Sequence, residues 1–264
     1  MNYLTDVALG VVEGVTEFLP ISSTGHLLLA EHWAGARSDT YNIVIQAGAI
    51  LAVTLIYWRR IVALLTGWND EGSRDYLFKI AVAFAVTAVL GLVVKKLGFE
   101  LPTTIAPVAW ALVIGGVWMI VAERFAARLP ESSVITMKVA VAVGLAQIVA
   151  GIFPGTSRSA TTIFVAMLLG ASNRAAATEF AFLVGIPTMY AASGYELLKQ
   201  VGQGGASEDW IGLGVAFVTS TITAFIAVKW LLGYIQSHRF TVFAIYRIIF
   251  GGALLVLPAV GVAL

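Results

Sequence analysis

Apolar residues run along this chain in blocks about one helix long, at 41–58, 76–94, 105–122, 134–153, 157–171, 175–198, 210–232 and 241–263. Short polar links such as Trp68–Asp75 and Gln203–Asp209 separate them. Unbroken blocks of this kind predict helices. A membrane barrel would show segments of about ten residues with alternating polarity, and none is visible. The N-terminal stretch does not read as a cleavable signal, because no basic region precedes it and Glu13, Glu17 and Pro20 interrupt its apolar run.

Two stretches do not fit single crossings. Residues 3–34 are broken by Pro20 followed by Ser22, Ser23 and Thr24, and residues 134–171 by Pro154, Gly155, Thr156 and Ser157. Each half is too short for a full crossing but suits a helix that enters the membrane, turns and leaves on the same side. The breaks also resemble each other at an offset of 134. Val12-Glu13 meets Ala146-Gln147, Phe18-Leu19-Pro20 meets Ile152-Phe153-Pro154, and Ser22-Ser23 meets Thr156-Ser157. This reads as an internal duplication, with repeats at approximately 1–122 and 134–264 of a single membrane-embedded domain.

Three full spans lie between the broken segments, so the second enters from the opposite face and the repeats are inverted. The expected fold is an all-α polytopic membrane protein with six transmembrane helices plus two re-entrant helix pairs. Arg59, Arg60, Arg74, Arg124, Arg128, Lys138, Lys229 and Arg239 then share one face, cytoplasmic by the positive-inside rule. Lys95, Lys96 and Lys199 lie opposite with Glu208 and Asp209, and both termini and the open side of the first re-entrant pair face outward.

Composition agrees with the pattern. The 264 residues are 59% hydrophobic and only 12% charged, with a mean hydropathy of +0.90, whereas soluble domains are about a quarter charged. Sixteen basic residues against 15 acidic ones give a net charge of +1, which offers no surface for nucleic acid. The absence of cysteine excludes disulfides, thiol catalysis and iron–sulfur clusters, and the three scattered histidines do not form a metal cage.

Charges inside apolar segments are costly and so mark candidate sites. They are Glu13, Glu17, His26, Arg158, Glu179 and Arg247, with Gln46 and Gln147 as polar companions. Glu13 and Glu17 share a helix face and could hold a divalent cation, or balance Arg158. Ser22 or Ser23 can cap the half-helix after Pro20, leaving backbone N–H groups aimed at the break, as an anion site requires. Ser23 and His26 could converge on one anion as nucleophile and proton carrier. The second break adds Thr156, Ser157, Ser159 and Arg158, whose planar fork suits phosphate. Brought together at the midplane, these groups describe a phosphoryl-transfer site for an anion attached to an apolar remainder.

The segments Glu13-Gly-Val-Thr-Glu17-Phe-Leu-Pro-Ile-Ser-Ser-Thr-Gly-His26 and Pro154-Gly-Thr-Ser-Arg158-Ser-Ala-Thr-Thr162 resemble the two signature motifs of the bacterial undecaprenyl pyrophosphate phosphatases, or bacitracin resistance proteins. The likeness extends to Asn42–Trp58 and Glu179–Pro187 and to the whole span pattern. It implies hydrolysis of a polyprenyl pyrophosphate lipid to the monophosphate carrier used for peptidoglycan, with a divalent cation, Mg²⁺ or Ca²⁺. It also implies a homodimer in the bacterial inner membrane whose site opens to the periplasmic or outer face. By the same resemblance Glu13 and Glu17 are the acidic, metal-binding motif, Ser23 and His26 the catalytic pair, and Arg158 the phosphate-binding arginine. Ser22, Thr24, Ser157, Ser159 and Thr162 are supporting hydroxyls. Ser23, His26 or water could be the nucleophile, with His26 or Glu17 handling the proton.

A lipid flippase or transporter that binds the phosphate without cleaving it is the competing reading, since broken helices in inverted repeats are a transporter design. A second class of membrane phosphatase is rejected, because no histidine follows Arg158 at the spacing it needs and its lysine-arginine motif is absent.

Overall fold

The computed structural model describes residues 3–98, 104–202 and 209–256, and all regular structure among them is helical. In chain order the helices are α1 Tyr3–Thr16, α2 Ser23–Ala34, α3 Asp39–Ile56, α4 Trp58–Thr66, α5 Glu71–Lys96 and α6 Ile105–Ala126. There follow α7 Met137–Ile152, α8 Arg158–Leu168, α9 Arg174–Gly202, α10 Trp210–Ser237 and α11 Thr241–Val256. Five of them, α3, α5, α6, α9 and α10, are long and apolar enough to cross a bilayer, and the chain is a multi-pass membrane protein. The block expected at 241–263 is helical up to Val256, and its remainder lies outside the described residues, as do 203–208 of the second polar link.

Both broken segments fold as pairs of short helices. α1 and α2 have 14 and 12 residues and α7 and α8 have 16 and 11, each too short to traverse a hydrocarbon core about 30 Å thick at about 1.5 Å per residue.

Element ends differ from the expected blocks where capping decides them. α5 begins at Glu71 rather than 76, because the Asp70 carboxylate accepts a hydrogen bond from Ser73 N at 2.7 Å and starts the helix. Thr136 does the same for α7, accepting from Val139 N at 3.3 Å. The separate amphipathic helix α4 is not apparent in the hydropathy pattern. The chain turns at Tyr57, Leu64 is buried, and Trp58 and Leu65 stay exposed on the other side.

The packing is paired. α1 lies against α10 and α7 against α5, α3 contacts both α9 and α10, and α6 packs along α11. In the first two pairs the backbones touch at a glycine. A Cβ on Gly10 would stand 2.5 Å from Ala216 O, and one on Gly144 would stand 2.7 Å from Ala83 O. Neither position has room for a side chain, so these contacts fix where the two short helix pairs sit.

Candidate active site

The two breaks share an unusual backbone. Ser22 has φ 72° and ψ 101°, Ser157 has φ 68° and ψ 112°, and among the described residues these are the only non-glycine residues with positive φ. Such conformations cost about 1–3 kcal/mol each and persist only when their surroundings impose them. Each is held by a side chain four residues on. His26 Nδ1 donates to Ser22 O at 2.7 Å, and Thr161 Oγ1 donates to Ser157 O at 2.8 Å. Ser22 and Ser157 occupy the N-cap positions of α2 and α8. The backbone therefore matches Ser22 with Ser157 and Ser23 with Arg158, one residue away from the alignment read off the prolines. Gly155 and Thr156 fill the second break where Ile21 alone fills the first.

This geometry brings Ser23 and Arg158 to the same carboxylate. Ser23 Oγ donates to Glu17 Oε2 and Arg158 Nη2 donates to Glu17 Oε1. Ser159 Oγ donates to Leu19 O at 3.1 Å and pins the second break to the first. The remaining hydroxyls divide by exposure. Thr24 is exposed and Ser23 half-buried, and both line a cavity with Glu13. Ser22, Ser157, Ser159 and Thr162 are buried. Ser157 Oγ lies 3.0 Å from Ser159 Oγ and accepts from Ala160 N, while Thr162 Oγ1 donates to Arg158 O at 2.8 Å. These buried hydroxyls shape the backbone that presents Arg158.

His26 has both ring nitrogens engaged. With Nδ1 donating to Ser22 O, the neutral ring accepts at Nε2 from the Tyr246 hydroxyl at 2.7 Å. The imidazole also stacks on the Phe250 ring, with centroids 4.4 Å apart. Tyr246 and Phe250 were not signalled by the sequence.

Arg247, an intramembrane charge without an assignable partner in the sequence, is fully buried. Its Nη1 donates to Thr156 O at 2.8 Å, and its Nη2 donates to Gly155 O at 2.9 Å and Ala111 O at 3.2 Å. The guanidinium fork thus grips two consecutive carbonyls of the second break. The neighbours Tyr246 and Arg247 on α11 hold one break each.

The family model described as Bacitracin resistance protein BacA matches residues 6–253, which include both breaks and Arg247. The chain belongs to the BacA family. A protein of Rhizobium johnstonii called undecaprenyl-diphosphatase is 69% identical over 262 residues, covering 99% of this chain and 99% of its own length. One from Xanthomonas euvesicatoria pv. vesicatoria with the same name is 64% identical over 260 residues, covering 98% of each. With near-complete coverage, the similarity spans the whole helical frame of this BacA-family chain and not the motifs alone.

One expectation changes against this geometry. Glu179 is not an isolated intramembrane charge, because its carboxylate is about one-third exposed and accepts from Arg60 Nε at 3.0 Å. Glu13 and Glu17, expected as a cation-binding pair, differ in their partners: each Glu17 oxygen accepts a hydrogen bond, from Ser23 or Arg158. Glu13 is buried, and its Oε2 lacks a hydrogen-bond partner. Among the described residues no group of three His, Asp or Glu side chains is arranged to hold a metal.

Proposed function

We propose that this protein hydrolyses undecaprenyl diphosphate to undecaprenyl phosphate and inorganic phosphate, recycling the lipid carrier for peptidoglycan and other envelope polymers and conferring bacitracin resistance. The observation that carries this reading is the Glu17 carboxylate shared between the Ser23 hydroxyl and the Arg158 guanidinium. A hydroxyl in contact with a base and a fork suited to phosphate oxygens converge on one point, and the names of the 64–69% identical relatives supply the substrate.

The geometry supports a division of labour. Arg158 exchanges Glu17 for oxygens of the incoming diphosphate and holds the terminal phosphoryl group. Ser23 Oγ attacks the terminal phosphorus as Glu17 Oε2 takes its proton. The bond to the bridging oxygen breaks, and undecaprenyl phosphate leaves with the bridging oxygen. Water then cleaves the phosphoserine, releasing phosphate and restoring Ser23. His26, with both nitrogens engaged, orients Ser22 and hence Ser23. A divalent cation, Mg²⁺ or Ca²⁺, bound through the free oxygen of Glu13 would neutralise diphosphate charge. An apolar groove of about 640 Å³ bounded by Trp110, Phe153 and Thr156 offers the prenyl chain a path beside the second break.

The finer topology is also part of this reading: six crossings and two re-entrant pairs as inverted repeats, the site opening to the periplasmic face of the inner membrane, and a homodimer. Short paired helices, matching strained serines and the equivalent α1–α10 and α7–α5 contacts support the repeat.

Phosphate release by detergent-solubilised protein tests the function. Hydrolysis needs no second compartment, whereas a flippase would bind the lipid and release nothing. Ser23→Ala should abolish release while lipid binding survives, and Arg158→Ala should lose both. Near-normal rates in both variants refute the assignment.

A further inference from the structure

Beside Ser23, between α1, α2 and α3, lies a cavity of about 240 Å³. Its polar lining is Glu13, Ser23, Thr24, Glu31, Asn42 and Gln46, and no basic side chain lines it. Glu31 and Asn42 had no role in the sequence reading of the site. Three oxygens along this wall are buried without a hydrogen-bond partner: Glu13 Oε2, Glu31 Oε1 and Asn42 Oδ1. Glu13 itself is only 1% exposed.

Buried polar atoms without partners are rare in folded proteins and call for an explanation such as an ion. Three from separate helices, all acceptors and all on one cavity, leave lone pairs with nothing donating to them. Ordered water could donate to the oxygens singly but would not tie the three helices' oxygens to one point. A hard divalent cation satisfies both needs, since Mg²⁺ and Ca²⁺ take carboxylate, amide and hydroxyl oxygens together with water. The volume leaves room for several waters at about 30 Å³ each.

We infer that a divalent cation binds in this cavity through Glu13, Glu31 and Asn42, and that Glu17 is not among its ligands. The site joins the last turn of α1 to α2 and α3, so the cation would also fix the Ser23 helix against its neighbours. The inference rests on the phosphatase reading only for the use the cation has next to Ser23. Binding is measured without substrate, so the two readings fail separately.

The test is Mn²⁺ binding to the full-length protein in detergent, followed by electron paramagnetic resonance, with Mg²⁺ and Ca²⁺ as competitors. Wild type should take up one competable Mn²⁺ per chain. Glu31→Gln and Asn42→Leu should each weaken binding at least about tenfold, since even outer-shell losses cost a metal site 10–100-fold. Glu17→Gln should change it less than about threefold. The metal-free melting temperature of each variant serves as the folding control, and Glu31 and Asn42, both only half-buried, allow the substitutions. No saturable Mn²⁺ binding by the wild type overturns the inference. So does loss of binding in Glu17→Gln with retention in Glu31→Gln, which returns the cation to the Glu13/Glu17 pair.

Discussion

Arg247→Lys separates holding the second break from merely filling space near it. Arg247 reaches Thr156 O with one nitrogen and Gly155 O and Ala111 O with the other, at 2.8, 2.9 and 3.2 Å. Lysine keeps the charge but offers one nitrogen, so it cannot reproduce a two-nitrogen grip on successive carbonyls. Loss of one charge-assisted hydrogen bond costs about 1.5–3 kcal/mol. If the turn carrying Ser157 and Arg158 relaxes by that amount, kcat/KM falls between about tenfold and about 150-fold. Arg247→Met loses all three bonds, about 4.5–9 kcal/mol by the same measure, comparable with the whole stability of a domain, and should fail to accumulate. The assay is phosphate release from undecaprenyl diphosphate in detergent, with elution profile and melting temperature recorded alongside. Gly115→Ala perturbs the same grip with the arginine intact, because a Cβ there would lie 2.2 Å from Arg247 Nη2 and push the guanidinium off its carbonyls. Activity within about twofold of wild type in both Arg247→Lys and Gly115→Ala refutes the positioning role.

Other consequences follow from single contacts. Glu123 is buried and accepts from Phe240 N and Thr241 Oγ1, both at 2.9 Å, and from Arg174 Nε at 3.3 Å. Glu123→Ala leaves the buried Phe240 N–H without an acceptor and should destabilise by about 1–3 kcal/mol, seen as a lower melting temperature. Tyr246→Phe uncaps His26 Nε2 and removes one hydrogen bond of about 0.5–1.5 kcal/mol. The expected fall in kcat/KM is about two- to tenfold, with a melt lowered by no more than the loss of that one bond, and inactivity there would mean that the tyrosine takes part in the chemistry. Gln147→Glu buries a carboxylate where both neighbouring hydroxyl protons are already committed, Thr87 Oγ1 to Ala83 O or Gly144 O and Thr188 Oγ1 to Val184 O. A carboxylate without donors should lower the melting temperature by the equivalent of several kcal/mol, and an unaltered melt counts against this account.

Much of this was legible in the sequence because membranes penalise charge and reward long apolar runs. Pro20 and Pro154 marked both breaks, and Glu17, Ser23 and Arg158, found as polar residues where none is cheap, meet at one carboxylate. What was not legible depends on side-chain direction across distant helices. Arg247 stood out as a buried charge, yet its partners are backbone carbonyls, which every residue has, and no residue type could identify them. Tyr246 and Phe250 look like ordinary interfacial and core aromatics until α11 lies beside α2. Glu31 and Asn42 stand at helix positions where polar residues are common, and only the cavity wall sets them apart. The one-residue shift between the breaks was hidden because the prolines align while the strained serines do not.

On the duplication reading, the two halves meet the same backbone problem and divide the chemistry. Each carries a proline between its two short helices and starts the second after a serine at positive φ whose carbonyl is satisfied four residues on, by His26 in one half and Thr161 in the other. The next residue is Ser23 in the first half and Arg158 in the second, so under the proposed mechanism one start supplies the nucleophile and its counterpart the phosphate ligand. A symmetric solution would fail. Two serines would leave the phosphate without a cationic fork, and two arginines would leave no nucleophile and no counter-charge. The acids are one-sided for the same reason. At the repeat offset of 134 Glu13 faces Gln147 and Glu17 faces Gly151, and Gln147 is spent on Thr87 and Thr188 at 2.9 and 3.4 Å. A second acidic pair would compete for Arg158 and add negative charge where a diphosphate must enter. The second half thus keeps the shape of the first and replaces its charge, which lets a pair of equivalent turns work as one site.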